Sequence, residues 1–479
     1  MAERTCDVVV IGAGPTGENV ADRAVKGGLS AILVEAERLG GECSFWACIP
    51  SKAMLRPPAA LESARAVAGA REAVTGSLDA AAVFGRRDTF VHHWDDASQY
   101  DWATGTGIEV IRGHGRLAGE RRVAVTGADG TVTGLEARQA VAVCTGTTAA
   151  IPPIPGLAEA KPWISRDATS SHQAPRRLAI IGGGVVGCEM ATAWSSLGCE
   201  EVTILQKDTR LVPALEPFAS DLLRAGLEAK GVRVVTEAMV ASVSRHTGGG
   251  PATISVSKPA ETLEVDEILV AAGRSPVTSD IGLETVGLEP GSWLAVDETM
   301  RVPTVAGGWL YAAGDVNHRA LLTHMGKYQG RVCGDVIVAR SEGDPVDGPA
   351  AWSRFAATAD HSCVPQVIFS SPEVGAVGFS EAEATRRGLR VRGVGYDIGK
   401  VAGASLFADG YRGRAKMVVD EDRKVIVGFT MVGMGVGEMV HAATIAIAGE
   451  VPLDRLWHAV PSYPTMSELW LRLLESYGQ

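Results

Sequence analysis

Two cysteines, Cys43 and Cys48, stand five residues apart near the start of the chain. Metal sites do not use this spacing, so we expect no metal here. On an ideal helix the two Cα atoms would lie about 8–9 Å apart, whereas a disulfide needs them within about 7 Å. Strained disulfides are the more readily reduced ones. The pair therefore predicts a redox-active disulfide across distorted backbone; the alternative is two structural thiols.

Glycines with dinucleotide-binding spacing occur twice, each time between an apolar run and a helix-like stretch. The two sets are Gly12, Gly14 and Gly17, after residues 7–11, and Gly182, Gly184 and Gly187, after residues 178–181. The first glycine of such a turn tightens it, the second lets the backbone approach a pyrophosphate, and the third lets helix and strand pack closely. The pyrophosphate binds at the helix N-terminus. The alternative is a glycine-rich turn without a ligand.

The residue that ends the following strand differs between the two sets. Glu35 lies where a carboxylate would accept from ribose hydroxyls. Gln206 holds the matching place after the second set, with Lys207 and Arg210 nearby. An acid there would repel a 2′-phosphate, so its absence favours NADPH over NADH. The alternative is that both cations are merely solvated.

The elements that must position these residues form two βαβ units. The apolar pattern predicts strands at residues 7–11, 31–35, 178–181 and 201–205, with helices to about residues 26 and 197. Continuous apolar strands are typical of buried parallel sheets. Residues 364–479 show the mixed strand and helix signals of an α+β domain.

The composition excludes several classes of function. The chain has 479 residues, 46% of them apolar and 21% charged, and a formal net charge of −11. It has no basic stripe of the kind that binds nucleic acid. No apolar run reaches the roughly 18 residues that span a membrane, and no signal peptide is apparent, so we expect a soluble, cytoplasmic protein. The remaining cysteines are expected to be small buried apolar residues: Cys6, Cys144, Cys188, Cys199, Cys333 and Cys363.

The motif order over nearly the whole chain resembles that of the two-cysteine flavoprotein disulfide reductases, such as dihydrolipoamide dehydrogenase, glutathione reductase and mercuric reductase. The likeness rests on the first glycine set with Glu35, on the Cys43–Cys48 pair followed by Ile-Pro-Ser-Lys at residues 49–52, and on the second glycine set followed by Glu189. Ala-Ala-Gly-Arg at residues 271–274, Gly-Asp at 314–315 and Pro-Thr-Met-Ser-Glu at 464–468 complete it.

This resemblance implies an α/β fold with two Rossmann-like dinucleotide-binding domains, both with parallel sheets, and a C-terminal α+β dimerisation domain. The boundaries we expect are 1–150 for the FAD-binding domain, 151–275 for the NAD(P)-binding domain, 276–350 for a central domain completing the FAD site, and 351–479 for dimerisation. The protein would be a homodimer with FAD and NADPH or NADH as cofactors. Electrons would pass from NAD(P)H through FAD to the disulfide and on to a small-molecule acceptor.

The resemblance also implies roles for single residues. Cys43 would be the thiol that meets the substrate, and Cys48 the thiolate against the flavin. Lys52 would pair with Glu189 near the flavin N5 and the nicotinamide, and Asp315 would bind the ribityl chain. Further glycines are implied at the cofactor sites: Gly41, Gly146 and Gly273. The C-terminal motif would reach the active site of the partner subunit.

The histidine that serves this family as acid–base residue is missing. Tyr463 stands directly before the Pro-Thr pair, in its place. A phenol, with a reference pKa of about 10, is a poor proton donor at neutral pH. Glu468 matches the acid that orients the histidine in this family. Here that acid has no neighbouring group that titrates near neutral pH for it to orient. His458 lies a few residues upstream and is a substitute donor or a packing residue.

Three hypotheses about activity follow. The first is a disulfide reductase with an unusual proton route. The second is the same scaffold passing electrons to a quinone, metal ion or dye, or running in reverse as a small-molecule dithiol oxidase, since Tyr463 would be no handicap there. The third is a non-catalytic nicotinamide-sensing subunit, which the intact cysteine pair disfavours. Phe45 and Trp46, between the cysteines, indicate either an apolar substrate pocket or simple packing.

Overall fold

The computed structural model describes residues 3–246 and 249–478, so the signal-peptide prediction rests in part on residues outside the description. The chain divides into two compact units. The first unit comprises the chain up to Ile49 with Asp88–Thr148 and Arg274–His361, and the second comprises Pro50–Arg87, Ala149–Gly273 and the chain from Ser362 on. The four domain boundaries given above stay a prediction.

Strands and helices alternate through most of the described chain. The strands are β1 (Glu3–Ile11), β2 (Ala31–Glu35), β3 (Glu109–Arg112), β4 (His114–Leu117), β5 (Arg122–Thr126), β6 (Val132–Val143), β7 (Thr147–Ala149), β8 (Arg177–Ile181), β9 (Glu201–Leu205), β10 (Arg233–Val235), β11 (Met239–Arg245), β12 (Ala252–Lys258), β13 (Ala260–Val265), β14 (Glu267–Val270), β15 (Arg274–Pro276), β16 (Leu310–Ala312), β17 (Pro365–Ile368), β18 (Glu373–Gly378), β19 (Val391–Asp397), β20 (Arg414–Asp420) and β21 (Val425–Gly433). The helices are α1 (Pro15–Lys26), α2 (Gly41–Phe45), α3 (Cys48–Arg65), α4 (Ala70–Ala73), α5 (Ala80–Phe90), α6 (Ala97–Gly105), α7 (Ser165–Ser170), α8 (Val185–Ser196), α9 (Pro217–Ala229), α10 (Thr323–Ser341), α11 (Ala359–Ser362), α12 (Glu381–Arg386), α13 (Ala402–Phe407), α14 (Val440–Ala448), α15 (Leu453–Leu456) and α16 (Leu469–Tyr477).

The first unit is built on a seven-stranded sheet with the strand order β3-β2-β1-β6-β5-β4, and β16 also pairs with β6. Strands β3, β2, β1, β6 and β16 are parallel, but β5 and β4 run antiparallel. The expected parallel sheet is therefore found for five of the seven strands, and the antiparallel β5 and β4 are a correction to it. Residues 127–131 are the whole connection between β5 and β6, and so short a loop joins antiparallel neighbours only.

The described residues of the second unit form three sheets. The order β10-β9-β8-β14 is parallel throughout, as predicted. Strands β11, β12 and β13 form an antiparallel sheet, and β17-β18-β21-β20-β19 form another. The five-stranded sheet and helices α12 to α16 make up the predicted C-terminal α+β part. All nine residues of its strand β21 are buried, so this strand is covered on both faces.

Successive side chains of a strand point to opposite sides of its sheet, so a strand that is apolar throughout contributes to the core on both faces. In β1, Val8 and Val10 belong to one buried cluster, and Val9 and Ile11 belong to another. Strand β8 divides its residues between two clusters in the same way. The two βαβ units that carry the glycine sets are thereby anchored in the cores of their respective units.

The six cysteines outside the pair are buried, as predicted. Burial raises the pKa of Cys6, Cys144, Cys188 and Cys199 to about 12, and that of Cys363 to about 11. Thiols of this kind are unreactive at neutral pH. Within residues 3–246 and 249–478, no helix is long and apolar enough to cross a membrane.

Candidate active site

In the turn formed by the first glycine set, neighbouring backbone atoms leave no room for a side chain at two of the three glycines. Gly12 has a φ of 100°, and a Cβ there would lie 2.5 Å from the Cys144 carbonyl oxygen. A Cβ on Gly17 would lie 2.0 Å from the Gly12 oxygen. A Cβ on Gly14, in contrast, would meet no atom within 4 Å. The middle glycine therefore leaves open space at the start of α1.

The second set repeats this arrangement at α8. A Cβ on Gly182 would lie 2.3 Å from the Ala271 oxygen, and one on Gly187 would lie 2.0 Å from the Gly182 oxygen. Gly184 again faces open space. Both Gly14 and Gly184 are N-cap residues of 12-residue helices. The unsatisfied N–H groups at such a helix start attract phosphate.

Glu35, which ends β2, and Gln206, which follows β9, hold the two turns by equivalent hydrogen bonds. Glu35 Oε2 accepts from the Ala13 N–H at 2.7 Å, and Gln206 Oε1 accepts from the Gly183 N–H at 2.8 Å. Burial raises the pKa of Glu35, while the N–H groups of Glu37 and Ala13 lower it. The two turns thus share a geometry and differ in charge.

The two cations near Gln206 lie in different surroundings. Arg210 Nη2 donates to the Pro213 carbonyl at 2.8 Å, back toward its own loop, whereas Lys207 is exposed. Asp208 accepts from Gln206 Nε2 at 2.8 Å, so an acid does stand beside Gln206, which sequence reasoning overlooked. Of these two cations, Lys207 is the one exposed to solvent, and the NADPH preference stays a prediction.

Buried polar groups surround the turn of the first unit. The backbone nitrogen of Thr145 lies beside Gly12, and the Thr145 Oγ1 is buried with no hydrogen-bond partner among the described residues. Asp315 Oδ2 accepts from Thr147 Oγ1 at 2.7 Å. Burial raises the pKa of Asp315, and Thr147 and Arg274 lower it. An unsatisfied hydroxyl and a carboxylate beside an open phosphate cradle match the groups of FAD, so these residues fit that cofactor.

Three further predicted cofactor glycines adopt left-handed backbone conformations. Gly41, Gly146 and Gly273 have φ values of 53°, 69° and 138°. A Cβ on Gly41 would lie 3.0 Å from the Gly14 Cα, so Gly41 lines the cradle of the first unit. No atom lies within 4 Å of a Cβ built on Gly146 or Gly273.

Cys43 and Cys48 lie on separate helices, and the helical path is interrupted between them, as their spacing predicts. Helix α2 ends at Phe45, Trp46 has a non-helical φ of −137°, and α3 begins at Cys48. Both cysteines are partly buried thiols. Their mutual hydrogen bond, together with burial, raises the pKa of Cys43. The interruption of the helix lets the two thiols share a hydrogen bond.

Helix α10 adds two groups that sequence reasoning missed. Thr323 Oγ1 lies 3.1 Å from Cys48 Sγ. A hydrogen bond from Thr323 and the positive charge of Lys327 both lower the pKa of Cys43. These two groups oppose the effect of burial and favour the thiolate, which is the reactive form of a cysteine.

The close approach of α10 to α1 depends on glycines spaced four apart, which share one helix face. They are Gly326, Gly330 and Gly334. A Cβ on any of them would lie between 2.4 and 2.6 Å from an atom of Thr16 or Arg23. This spacing was the sequence signal that would have placed α10 against α1 and its N-terminal residues beside the cysteines.

The structure brings Lys52 and Glu189 together inside the second unit. Lys52 Nζ donates to Glu189 Oε2 at 2.7 Å, and Glu189 Oε1 accepts from the Phe369 N–H at 3.0 Å. The Lys52 ammonium also lies 5.0 Å from the centroid of the Phe369 ring. Glu189 is 3% exposed, and such a buried carboxylate requires a partner of this kind.

Tyr463 and Glu468 lie in contrasting surroundings. Tyr463, between α15 and α16, is 75% exposed, and His458 is exposed as well. Glu468 is buried, and its Oε1 accepts from Arg472 Nη2 at 2.5 Å. Its Oε2 has no hydrogen-bond partner within the described chain. The acid that would orient a histidine is therefore paired with an arginine here.

The aromatic residues between the cysteines have separate roles. Phe45 is 1% exposed, and its carbonyl accepts from Trp94 Nε1 at 3.2 Å, which supports the packing interpretation. Trp46 lies under the Arg38 guanidinium, 5.6 Å from the ring centroid, and lines a cavity of about 630 Å³.

Comparison with known families decides the class of the protein. Residues 6–343 match the pyridine nucleotide-disulphide oxidoreductases, and residues 364–473 match the dimerisation domain of the same group. The chain belongs to this family.

Its relatives extend over nearly the whole chain. Dihydrolipoyl dehydrogenase 3 of Pseudomonas aeruginosa is 32% identical, covering 96% of this chain and 96% of that protein. Dihydrolipoyl dehydrogenase of Chlamydia pneumoniae is 30% identical, covering 97% and 95%. The Cu(II) complex of the HOCl-induced flavoprotein disulfide reductase RclA from Escherichia coli has a TM-score of 0.83 at 22% identity, covering 98% and 99%. This last likeness shows the fold.

Family membership settles the general activity. The chain is an FAD-dependent NAD(P)H:disulfide oxidoreductase, with FAD and NADPH or NADH as its cofactors. Its C-terminal domain is a homodimerisation domain. These findings do not favour the alternative acceptors considered above.

Proposed function

We propose that Cys43 and Cys48 are the redox pair of this enzyme, and that Cys43 is the thiol that meets a disulfide acceptor. The observation that carries the proposal is the hydrogen bond between these two thiols on separate helices. Thiols that share a hydrogen bond need little movement to close a disulfide. The bond to Cys48 and burial raise the pKa of Cys43, and Thr323 and the charge of Lys327 act in the other direction, toward the attacking thiolate.

The exchange has two steps in which electrons and protons balance. The Cys43 thiolate attacks one acceptor sulfur, the acceptor S–S bond breaks, and the first thiol leaves with one proton. The Cys48 thiolate then attacks the Cys43 sulfur, closes the Cys43–Cys48 disulfide and releases the second thiol with the other proton. Two electrons and two protons thus pass from the dithiol to the acceptor. Bound FAD supplies the two-electron transfer from NAD(P)H that restores the dithiol.

Other residues of the site are assigned by their surroundings. We assign the Lys52–Glu189 pair to the region of the flavin N5 and the nicotinamide, because a lysine satisfied by a buried carboxylate is a fixed positive charge. Asp315 is assigned to the ribityl hydroxyls and Glu35 to the ribose hydroxyls of FAD. Lys207 is assigned to the 2′-phosphate of NADPH.

We infer that the acceptor approaches Cys43 along a cleft of about 320 Å³ in the first unit. Its wall includes Glu18, Asp22, Trp102 and Lys327. Lys327 belongs both to this wall and to the surroundings of Cys43, which supports the inference.

The face around Tyr463 is assigned to the dimer contact. Trp457, Val460 and Tyr463 are 39%, 84% and 75% exposed in the single chain. Large apolar side chains exposed together are typical of an interaction surface. We propose that this face meets the partner subunit and that Tyr463 reaches the partner's active site. We also place the enzyme in the cytoplasm, where isolated cysteines stay reduced.

Cysteine variants of the holoenzyme test the redox assignment. Anaerobic NADPH should create two new titratable thiols per chain in the wild type and none in Cys43→Ser or Cys48→Ser. Both variants should lose disulfide turnover. Cys363→Ser is the matched control, because its hydroxyl can keep the bond that Cys363 donates to the Thr444 carbonyl. Full disulfide turnover by Cys43→Ser would refute the assignment.

A further inference from the structure

A left-handed turn in the first unit is not used by the cofactor assignments. His92, His93 and Trp94 have φ values of 49°, 51° and 59° in succession. L-residues adopt this conformation singly rather than in a run, because the Cβ crowds the following carbonyl oxygen. Such a turn persists only where the surrounding structure imposes it, and strain of this kind is concentrated at functional sites. The contacts of the turn therefore indicate what it holds in place.

Both ends of the turn are anchored. Val91, directly before it, is fully buried. Asp96, two residues after it, accepts hydrogen bonds from Arg112 Nη1 at 2.7 Å, from Arg112 Nη2 at 3.0 Å and from the Leu39 N–H at 2.7 Å. Burial raises the pKa of Asp96, but the bonds from Arg112 and Leu39 outweigh it, so this pKa lies below its ordinary value. Asp96 is therefore a charged acceptor at a fixed place.

The same stretch of chain holds both ends of α2, the helix that carries the first cysteine. Leu39, bonded to Asp96, lies two residues before α2, and Phe45 is its last residue. Trp94 Nε1 donates to the Phe45 carbonyl at 3.2 Å. In a continuous helix this carbonyl would accept from the N–H four residues on, but the helical path is interrupted at Trp46. The indole thus supplies a donor where the interrupted helix leaves its last carbonyl groups without one.

A cavity beside the C-terminal end of α2 makes these bonds important. Its volume is about 630 Å³, and Trp46, Trp94 and Asp96 are among the residues of its wall. Close packing fixes a helix only on the sides that other elements cover. On the open side, the hydrogen bonds of Trp94 and Asp96 determine where α2 lies, and with it the place of Cys43 relative to Cys48.

We propose that residues 92–96 are a positioning clamp, which holds Cys43 within bonding reach of Cys48 and so sets the balance between dithiol and disulfide. When the pair closes, the two thiols give up two electrons and two protons to the acceptor and one S–S bond forms. The clamp exchanges neither; it acts by raising the effective concentration of one thiol at the other. Trp94 is thus a positioning residue. The proposal rests on the assignment of these two cysteines as the redox pair.

The test measures the fraction of the pair that is disulfide in the holoenzyme. The protein is equilibrated in dithiothreitol redox buffers without NAD(P)H, free thiols are alkylated, and both states of Cys43 and Cys48 are quantified by mass spectrometry. Trp94→Phe keeps an aromatic ring and loses the indole N–H. The equilibrium should shift about threefold to tenfold toward the dithiol, as expected for one lost hydrogen bond. This shift corresponds to a potential about 15–30 mV higher.

A matched pair of variants at His93 tests the turn itself. The His93 side chain is exposed, so its replacement removes no core packing. Glycine adopts a positive φ without strain, and His93→Gly should keep the wild-type potential. Valine is β-branched and is an outlier at positive φ, so His93→Val should shift the equilibrium in the same direction as Trp94→Phe. Equal shifts in the two His93 variants would contradict a role for the left-handed backbone.

Trp309→Phe is the control for the loss of a buried indole. Trp309 is 2% exposed and belongs to a core cluster built on β1, β6 and β16. This variant should unfold at a lower urea concentration and keep the wild-type potential. An unchanged potential in Trp94→Phe, or an equal shift in Trp309→Phe, would overturn the proposal. Absence of a Cys43–Cys48 disulfide from the oxidised wild type would refute the redox assignment instead, so the two failures are distinguishable.

Discussion

Replacing the middle glycine of each turn by alanine should separate the two nucleotide sites. In the protein alone, a Cβ on Gly14 or Gly184 meets no atom within 4 Å. Gly14 has φ −72° and ψ 177°, which alanine also adopts. The exchange of glycine for alanine at a helix N-cap costs about 1 kcal/mol or less. Both variants should therefore fold.

The added methyl groups would fill the open space that we assign to a pyrophosphate at each helix start. A hydrogen bond to a charged group contributes about 1.5–3 kcal/mol, and about 1.4 kcal/mol corresponds to a tenfold change in affinity. Loss of one such bond should weaken binding roughly tenfold to a hundredfold. Gly14→Ala should weaken FAD binding, and Gly184→Ala should weaken NAD(P)H binding and leave FAD in place.

Two assays distinguish these outcomes. The ratio of flavin to protein absorbance after desalting, and titration of the apoprotein with FAD, measure FAD binding. Stopped-flow reduction of the bound flavin at several NAD(P)H concentrations measures the second site. Gly17→Ala is the contrasting variant, because its Cβ would lie 2.0 Å from a backbone oxygen and should disturb the fold itself. Wild-type FAD affinity in Gly14→Ala, or loss of FAD from Gly184→Ala, would refute the assignment of the two cradles.

Three further changes test other parts of the structure. Lys52→Met removes the cation from buried Glu189 and should lower the free energy of unfolding, measured from the urea midpoint, by about 2–3 kcal/mol. This is less than the loss expected for a fully buried pair, because the Lys52 side chain is 35% exposed. Adding Glu189→Gln should recover part of the loss, and strictly additive effects would contradict the pairing. Gly330→Ala places a Cβ 2.6 Å from a backbone oxygen of α1 and should lower the free energy of unfolding by about 1–3 kcal/mol. Gly85→Ala on α5 is the control, because a Cβ there meets open space and should stabilise the protein by up to about 1 kcal/mol. Lys207→Ala should raise KM for NADPH about tenfold and leave KM for NADH unchanged, and an equal effect on both would exclude a 2′-phosphate contact.

Local sequence was sufficient wherever the decisive interactions join residues close along the chain. The turns at Gly12 and Gly182 follow from strand, glycine spacing and helix within one βαβ unit. The interruption between Cys43 and Cys48 follows from the geometry of five residues. The antiparallel strands β5 and β4 of the first unit were not expected, because only the parallel βαβ core was considered, although the short loop at residues 127–131 was a local signal for antiparallel pairing.

Tertiary structure decided the groups that act on these motifs from distant parts of the chain. Thr323 lies 275 residues from Cys48 in sequence, and Glu189 lies 137 residues from Lys52. The Lys52–Glu189 pairing was expected from resemblance to a family, not from the residues themselves. The elevated pKa of Glu18 has no local signature, because it results from burial by other elements and from the charges of Lys327 and Glu35.

The sequence by itself therefore determined the cofactor turns and the cysteine pair, since spacing along the chain defines both, and the resemblance of its motifs to a known family indicated the class of reaction. Only the tertiary structure decided which side chains surround the thiols and where a proton is held. The physical reason is that desolvation and charge–charge interactions depend on distances in space, which packing of α10 against α1 establishes.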